Sequence, residues 1–461
     1  MKVKFKITIL LSIAWILPSC QTGELSINNY LNKVVEEFRT GDLAPVSSEK
    51  PDLKLKIVDA NYLPFTNQNL PENIRVVISR NANVLAKIES IAVAKQRVKV
   101  ENAGKSIQAS AQLTGGLVAE DRKTDPAVAG SVTVSKLIYD YGTADASIRS
   151  MIENVKISEI ETLIEAEKVA IEAVSAWIEF TKSESIEQVY SDGIVMVKPL
   201  LGQIANISTS GLVDKASLLE AKKKYATLTT ESDQAQLRTM SAKNQFKKIF
   251  QLEKLSEVFK LQPLELKAFV SDDDTFLENS PLIRILDHTI YAKAEHLESL
   301  KSSQKPLFSL SGSVTAPAKD TLDDGVATFG LIVNHTFNDG GKRVAMVSAA
   351  KSELTALIQK RKSSIDEIRT EHKQLTVALE SFNREKESLE ELFEISLEVR
   401  DAARSQLVSG RSTIDDVLQA EVGLSEIRIK LISVNSQIAK TTFSLRALTG
   451  GLTSLFGWSI N

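Results

Sequence analysis

Ile138-Tyr-Asp-Tyr-Gly142 and Thr336-Phe-Asn-Asp-Gly340 decide how this chain is read, because the second echoes the first about 198 residues later. Two more landmarks keep step with them. Asn81-Ala-Asn83 returns as Asn279-Ser-Pro281, and Ser210-Gly211, with Ala221 beyond it, returns as Ser409-Gly410 with Ala420 beyond it. The offsets are 198, 198 and 199. Three matches in one register across nearly the whole chain point to a duplicated structural unit. Each unit reads as helix, two strands, long helix, tight turn and returning helix.

The strands carry the first functional signal. Ser106–Thr114, Val128–Tyr139, Leu307–Ala316 and Thr328–Phe337 each alternate apolar residues with small uncharged polar ones. That period of two is a β signature. About ten residues at ~3.3 Å each, tilted near 45°, cover an apolar band about 25 Å tall. Polar, turn-like loops, Gly115–Ala127 and Pro317–Val326, are expected to join each pair. Lys136 falls on the apolar parity of the second strand, near its end, where its ammonium can snorkel toward headgroups. Two soluble hairpins packed on one face are the competing reading. Four strands cannot close a barrel, which needs about eight, and open edges are not tolerated in lipid. Membrane strands here therefore demand an oligomer.

The helices are the other half of the pattern. From Lys342 to Ser409 no glycine or proline occurs for 68 residues, and apolar residues such as Leu354, Ile358, Ile365, Leu379 and Leu389 recur at threes and fours. At ~1.5 Å per residue this predicts a rod of about 100 Å, which persists only by packing along neighbours. Gly410 turns the chain and Ile414–Leu448 returns as a second helix. The first copy has the same layout, Thr143 through Ser210, then a turn at Gly211. There Gly193, Pro199 and Gly202 interrupt the pattern, and proline inside a helix removes a hydrogen bond. A kink or break near Val197 is expected.

Lys2, Lys4 and Lys6 precede the apolar run Ile7–Leu17, followed by Leu17-Pro-Ser-Cys20. This describes a secretory signal, residues 1–19, too short for a transmembrane helix. Cys20 is the only cysteine among 461 residues and stands where a bacterial lipoprotein signal places its acylated cysteine; a buried thiol after an ordinary signal is the alternative. Gln21 favours onward export to the outer membrane. One cysteine allows no intramolecular disulfide. The formal charge of −3 becomes more negative once the three signal lysines are removed. With no basic, aromatic-interleaved stripe, nucleic acid is not an expected partner.

The strand-to-helix junctions at Ile138–Gly142 and Phe337–Gly341 resemble those of TolC-type outer membrane efflux proteins. So does Ser409-Gly-Arg-Ser-Thr-Ile-Asp-Asp-Val-Leu-Gln-Ala420, and Leu445–Gly450, ending Leu-Thr-Gly, resembles the end of their last helix. The resemblance covers residues 73 to 452. It implies a mainly α fold with membrane β: a trimer whose twelve strands, four per chain, form one barrel continued by a long α-helical barrel. It also implies a division into an extension at 20–72, a first repeat at 73–254, an equatorial connection at 255–278, a second repeat at 279–452 and a tail at 453–461. The implied function is a passive exit duct in the outer membrane, serving a tripartite efflux or type I secretion system with a periplasmic adaptor and an inner-membrane pump or ABC transporter.

Residues follow by match. The turns Ser210, Gly211, Leu212 and Ser409, Gly410, Arg411, Ser412 would be periplasmic tips where an adaptor docks. Asp416 matches an aperture carboxylate six residues past the tip glycine, but Ser217 takes that place in the first copy and Gln419 replaces a later acid. Asp415 or Asp214 would supplement a weakened acidic ring, attracting cations; both also suit a plain helix start. Arg411 stands one place before the family's usual basic residue. No catalytic residue, metal site or cofactor is expected: His288, His296, His335 and His372 are scattered, and Asp272-Asp-Asp274 reads as a solvated loop. The alternative function is a coiled-coil lipoprotein that braces the envelope without a conduit.

Overall fold

The computed structural model describes residues 70–120, 123–209, 215–252, 275–317, 326–409 and 411–459. The signal segment, Cys20, the extension as far as residue 69, Asp272–Asp274 and the turn residues Ser210, Gly211, Leu212, Asp214 and Gly410 lie outside the described residues. The element order is α1 (Leu70–Arg80), α2 (Ala82–Ala103), β1 (Gln108–Glu120), β2 (Lys123–Tyr139), α3 (Thr143–Thr209) and α4 (Lys215–Ile249). Then follow α5 (Thr275–Asn279), α6 (Pro281–Ser302), β3 (Leu307–Pro317), β4 (Val326–Asn334), α7 (Lys342–Val408), α8 (Ile414–Leu448) and α9 (Leu452–Leu455).

The duplication is tighter than the sequence matches. Helices α2 and α6 both have 22 residues, α3 and α7 both have 67, and α4 and α8 both have 35. Every such pair starts 199 residues apart. The hairpins obey the same shift, because Gln108 opposite Ser135 becomes Leu307 opposite Asn334. This corrects the 198-residue pairing of two landmarks. Asn81 caps α2, its Oδ1 accepting from the Asn83 and Val84 amides at 2.9 and 3.3 Å, and its counterpart is Ser280 before Pro281, not Asn279. Gly142 likewise corresponds to Gly341.

Three further expectations change. The first hairpin keeps pairing until Glu120 meets Lys123, so most of the expected loop at 115–127 is strand. β4 ends at Asn334, because β3 starts at Leu307 and offers residues 335 to 337 no partner. Helix α3 runs unbroken through Gly193, Pro199 and Gly202; a proline forfeits a single ladder hydrogen bond, and the helix continues past it.

Helix α3 is the centre of the helical layer. Near the strands the order is α2, α3, α6, α7, and toward the turns it is α4, α3, α8, α7. Ala166, Ala170, Ala173 and Trp177 of α3 are therefore buried, together with Ile74, Phe246, Phe250, Phe443 and Phe456, in the main core. Phe246 stacks on Phe250 with centroids 4.3 Å apart. Helix α7 has a neighbour on one flank only, and Val377, Val399 and Val408 stay exposed.

The last residues close this core. Gly450, at φ +70°, lies so near the start of the second repeat that an added Cβ would sit 2.8 Å from Pro281 Cδ and 2.9 Å from the Asn279 carbonyl oxygen. Next to it, the buried Glu167 Oε1 accepts from the Thr453 amide at 3.1 Å and its hydroxyl at 2.8 Å. Burial pushes the Glu167 carboxyl up to about 7 despite those donors. Its Oε2 is buried and has no hydrogen-bond partner.

Gly450→Ala is expected to destabilise the fold by about 2–4 kcal/mol, combining a positive φ with overpacking. Gly202→Ala, with nothing within 4 Å and a helical backbone, should be neutral or slightly stabilising. Thermal unfolding followed by circular dichroism checks both. The folded value of Glu167 lies above its unfolded value, so its contribution is full below about pH 4.5 and fades as pH rises through about 7. Glu167→Gln should raise the melting temperature at pH 8, by at most ~3 kcal/mol of stability, and leave it unchanged at pH 5.

Candidate functional site: one sheet, two junctions and the helical turns

The four strands form a single antiparallel sheet in the order β1-β2-β3-β4. Cross-strand partners share a face, so the register decides what each face presents. One face carries rows such as Ala111, Val132, Val314, Ala327 and Ala109, Val134, Gly312, Phe329. The other carries Gln108, Ser135, Ser311, Gly330 and Ser110, Thr133, Ser313, Thr328. Ser313 Oγ and Thr328 Oγ1 are 2.7 Å apart, one of the bonds that tie the polar face together. The Phe329 ring lies over its partner Gly312, filling the space a side chain would take.

The apolar face is bare. Leu113, Val132, Val314, Phe329, Leu331 and Val333 are all exposed. A contiguous apolar patch of this kind marks an interaction with lipid or another chain. Lys136 lies opposite Leu310, with the Leu137–Ser309 and Tyr139–Phe308 pairs between it and the helices. Aromatics collect at the helix-facing end of the sheet: Tyr139 packs on Tyr141 at 4.6 Å and on Phe308 at 6.3 Å, and Lys305 Nζ lies 5.0 Å from the Tyr141 ring centre. Amphipathic rings suit the headgroup level of a membrane strand.

Each sheet-to-helix junction is built by an aspartate. Asp140 accepts from the Gly142 amide at 3.0 Å and the Ala144 amide at 2.7 Å. Asp339 accepts from the Gly341 amide at 3.1 Å and from Arg343, through its amide at 3.1 Å and its Nε at 2.9 Å. Two successive residues then take positive φ, Tyr141 and Gly142 in one copy and Gly340 and Gly341 in the other. Asp140 and Asp339 cap the first turns of the two longest helices, and the sequence reading passed over both.

At the second turn, Ser409 Oγ donates to the Gln406 carbonyl at 3.0 Å, while the Arg411 and Ser412 amides reach the same carbonyl at 2.8 and 3.3 Å. Thr413 begins α8 through a capping box: its Oγ1 accepts from the Asp416 amide, and Asp416 Oδ2 accepts from the Thr413 amide at 2.8 Å. Ser412 Oγ also donates to Asp416 Oδ2 at 3.0 Å. The Thr413 amide, aided by the Thr413 and Ser412 hydroxyls, holds the Asp416 carboxyl below its ordinary range. Asp415 pairs instead with Lys224 of the first repeat, Nζ to Oδ1 at 3.1 Å. Arg404 reaches across to the buried Glu421. Nothing in the sequence marked these two ion pairs. Ser217, half-buried on α4, stands where Asp416 does on α8. Among the described residues no cluster of His, Cys, Asp or Glu could hold a metal ion, and no helix is long and apolar enough to cross a membrane.

An antiparallel four-stranded sheet with one lipid-like face, both edges open, and two 67-residue helices below it defines a segment of a transmembrane β-barrel continued by a helical tube. Comparison with known proteins agrees. Residues 274–451 match the family model of outer membrane efflux proteins. The fold is similar to that of CusC, a protein that forms a transmembrane channel, with a TM-score of 0.73 and 14% identity over 89% of this chain and 99% of that one. It is also similar to VceC, an outer membrane protein of Vibrio cholerae (TM-score 0.71, 13% identity, 83% and 96% covered). The Campylobacter jejuni outer membrane channel CmeC gives 0.71 at 13% identity, with 88% and 90% covered. No protein of curated function matches by sequence. The match to the outer membrane efflux protein family covers the second repeat, and the structural likeness extends over the whole fold. CusC and CmeC, two of the proteins it resembles, are described as channels.

Thr413→Ala is expected to loosen the start of α8 by about 1 kcal/mol, seen as faster hydrogen exchange over residues 413–417. Asp416 has a lowered folded value, so the cap is complete at neutral pH and is lost as pH falls through that value. The same amides should therefore lose protection on acidification below the ordinary carboxylate range, and Asp416→Ala should abolish that pH dependence.

Proposed function

We propose that the protein is the outer-membrane channel of a tripartite export assembly, a passive duct made from three copies. The observation that carries this is the sheet register: one face largely apolar and exposed, the other mostly small and polar, with β1 and β4 unpaired along one side each among the described residues. Twelve strands from three chains give a closed barrel with lipid outside and a polar lumen within. A 67-residue helix at ~1.5 Å per residue spans about 100 Å, a length suited to crossing the periplasm. Neither feature serves a brace made only of coiled coils.

The finer assignments follow from this reading. Cys20 is the acylation site that adds a lipid anchor to the barrel. A periplasmic adaptor docks at the turns formed by Ser210, Gly211, Leu212 and by Ser409, Gly410, Arg411, Ser412. An inner-membrane pump or ABC transporter supplies the energy, for efflux or for type I secretion. Asp415 and Asp416 lie near the aperture, but Lys224 offsets the first and the Thr413 cap holds the second. The acidic ring is correspondingly weak, and cation preference at the mouth should be modest.

The protein should extract from outer-membrane fractions as a trimer and conduct ions in planar bilayers; monomers without conductance would overturn the proposal. Face-specific substitutions sharpen the test. Val132→Lys places a charge on the lipid face, at ~2–4 kcal/mol near the bilayer midplane, and should reduce assembled trimer. Thr133→Lys, one residue along, faces the lumen and should preserve the trimer while lowering cation conductance.

A further inference from the structure

Two lysines stand on or beside the apolar face of the sheet, and neither is matched by an acid. Lys136 on β2 pairs with Leu310 and has the same parity as Val132 and Val134. Lys305 precedes β3, and its Nζ lies 5.0 Å from the ring centre of Tyr141. Both residues are exposed, and among the described residues neither ammonium pairs with a carboxylate. The acids at this end of the sheet are engaged elsewhere. Asp140 is held by the Gly142 and Ala144 amides, Asp145 by Lys105 and Asp339 by Arg343.

Between the lysines lies a cluster of rings, and beyond Lys136 a groove. Phe308 lies 6.3 Å from Tyr139 and 6.5 Å from Tyr141, and the two tyrosines are 4.6 Å apart. Phe308 and Leu310 are two residues apart on β3, about 7 Å, so the Lys136 stem is long enough to bring its ammonium beside the rings. On the side away from the helices, the face has a groove of about 500 Å³ lined by Lys136, Val132, Val134, Gly312, Val314 and Phe329. The row Ala109, Val134, Gly312 carries small side chains that leave this groove open. Nothing in the repeat demands the arrangement. At the 199-residue shift Lys136, Tyr139, Tyr141, Phe308 and Lys305 become His335, Asn338, Gly340, Ala109 and Ser106. The cluster therefore belongs to the join of β2 and β3 alone.

We propose that the β2–β3 join is a binding site for one anionic glycerophospholipid of the leaflet nearest the helices. The inference rests on the membrane barrel proposed above and assigns a ligand to one place on its outer face. The phosphate sits between the Lys136 and Lys305 ammonium groups, and one acyl chain lies along the groove past Val134 and Gly312. A charge on the lipid face is costly near the midplane and tolerable near the interface, and a phosphate beside the ammonium removes the cost that remains. The tyrosine hydroxyls can donate to phosphate or glycerol oxygens. An acyl chain in the groove merely replaces another, so the groove fixes the place and the charge supplies the preference. Each lysine gains from an anionic headgroup, whereas a zwitterionic headgroup brings its own cation to two cations already unmatched. Free phosphate shares the headgroup chemistry but cannot fill the groove.

The test uses the full-length assembled protein, exchanged into vesicles of phosphatidylethanolamine doped with phosphatidylglycerol. After extraction into mild detergent, native mass spectrometry counts the phospholipids retained on the trimer. Phosphatidylglycerol should be retained in preference to phosphatidylethanolamine, up to one per chain. Retention should fall about fivefold in Lys136→Gln or Lys305→Gln, reach background in the double variant, and survive Lys136→Arg and Lys305→Arg. Equal retention of the two lipids, or undiminished retention by the double variant, would overturn the site. Lys305 lies outside the strands, so its variant keeps the test open should Lys136→Gln disturb assembly. Val134→Trp fills the groove and leaves both lysines in place; it should also lower retention, and no change would overturn the seat of the acyl chain. Inorganic phosphate, at an ionic strength matched with chloride, should not displace the lipid; displacement would overturn the lipid assignment in favour of phosphate alone. A conducting trimer that retains no phosphatidylglycerol overturns this site and leaves the duct standing. Absence of any trimer in the native chain would instead overturn the functional proposal.

Discussion

The unpaired backbone of two strand edges governs this molecule. β1 and β4 each present a row of N–H and C=O groups with no partner among the described residues, and in hydrocarbon each such group left bare costs several kcal/mol. An apolar face invites the sheet into lipid, while the edges forbid it to enter alone. Closure by further copies satisfies both demands. The helices are bound by the same requirement, because α7 and the α2/α4 flank end the layer on the sides where β4 and β1 end the sheet.

Duplication makes closure simple. With hairpins and helices repeating at one constant shift, the join between repeats and the join between chains can share one geometry. Two corresponding aspartates, Asp140 and Asp339, cap the long helices at the same position of each repeat. Equal lengths in α3 and α7 keep the strands at one end and the turns at the other in step between the repeats. Their equal length of 67 residues is thus a constraint of assembly.

Periodicity made the strands and rods legible, since alternation by two and spacing by threes and fours are local properties. The repeat register was misread by one residue because letters were matched where roles were needed. Asn81 has the same letter as Asn279, but the cap position passes to Ser280, and Tyr141 holds the positive φ that Gly340 takes in the other copy. Strand ends depend on what a partner offers, so the length of the first hairpin and the early end of β4 could not be read from either strand alone. Lys224–Asp415 and Glu167–Thr453 join residues 191 and 286 positions apart, and no pattern within one segment announces such contacts.

The join between repeats and the outer flanks share their apolar character but not their charges. Inside the chain Arg149 pairs with Glu295 at 2.8 Å and Glu153 with His288 at 2.6 Å. At the 199-residue shift those partners become Ser348 with Gln96, and Ser352 with Glu89. Half-buried polar pairs such as these fix one partner and one register between the repeats. Each chain carries apolar side chains on both flanks, without these two pairs. In the proposed assembly, contact between copies then relies on strand closure, since a backbone group left bare in hydrocarbon costs several kcal/mol. The join between repeats therefore carries polar pairs that the outer flanks do not repeat.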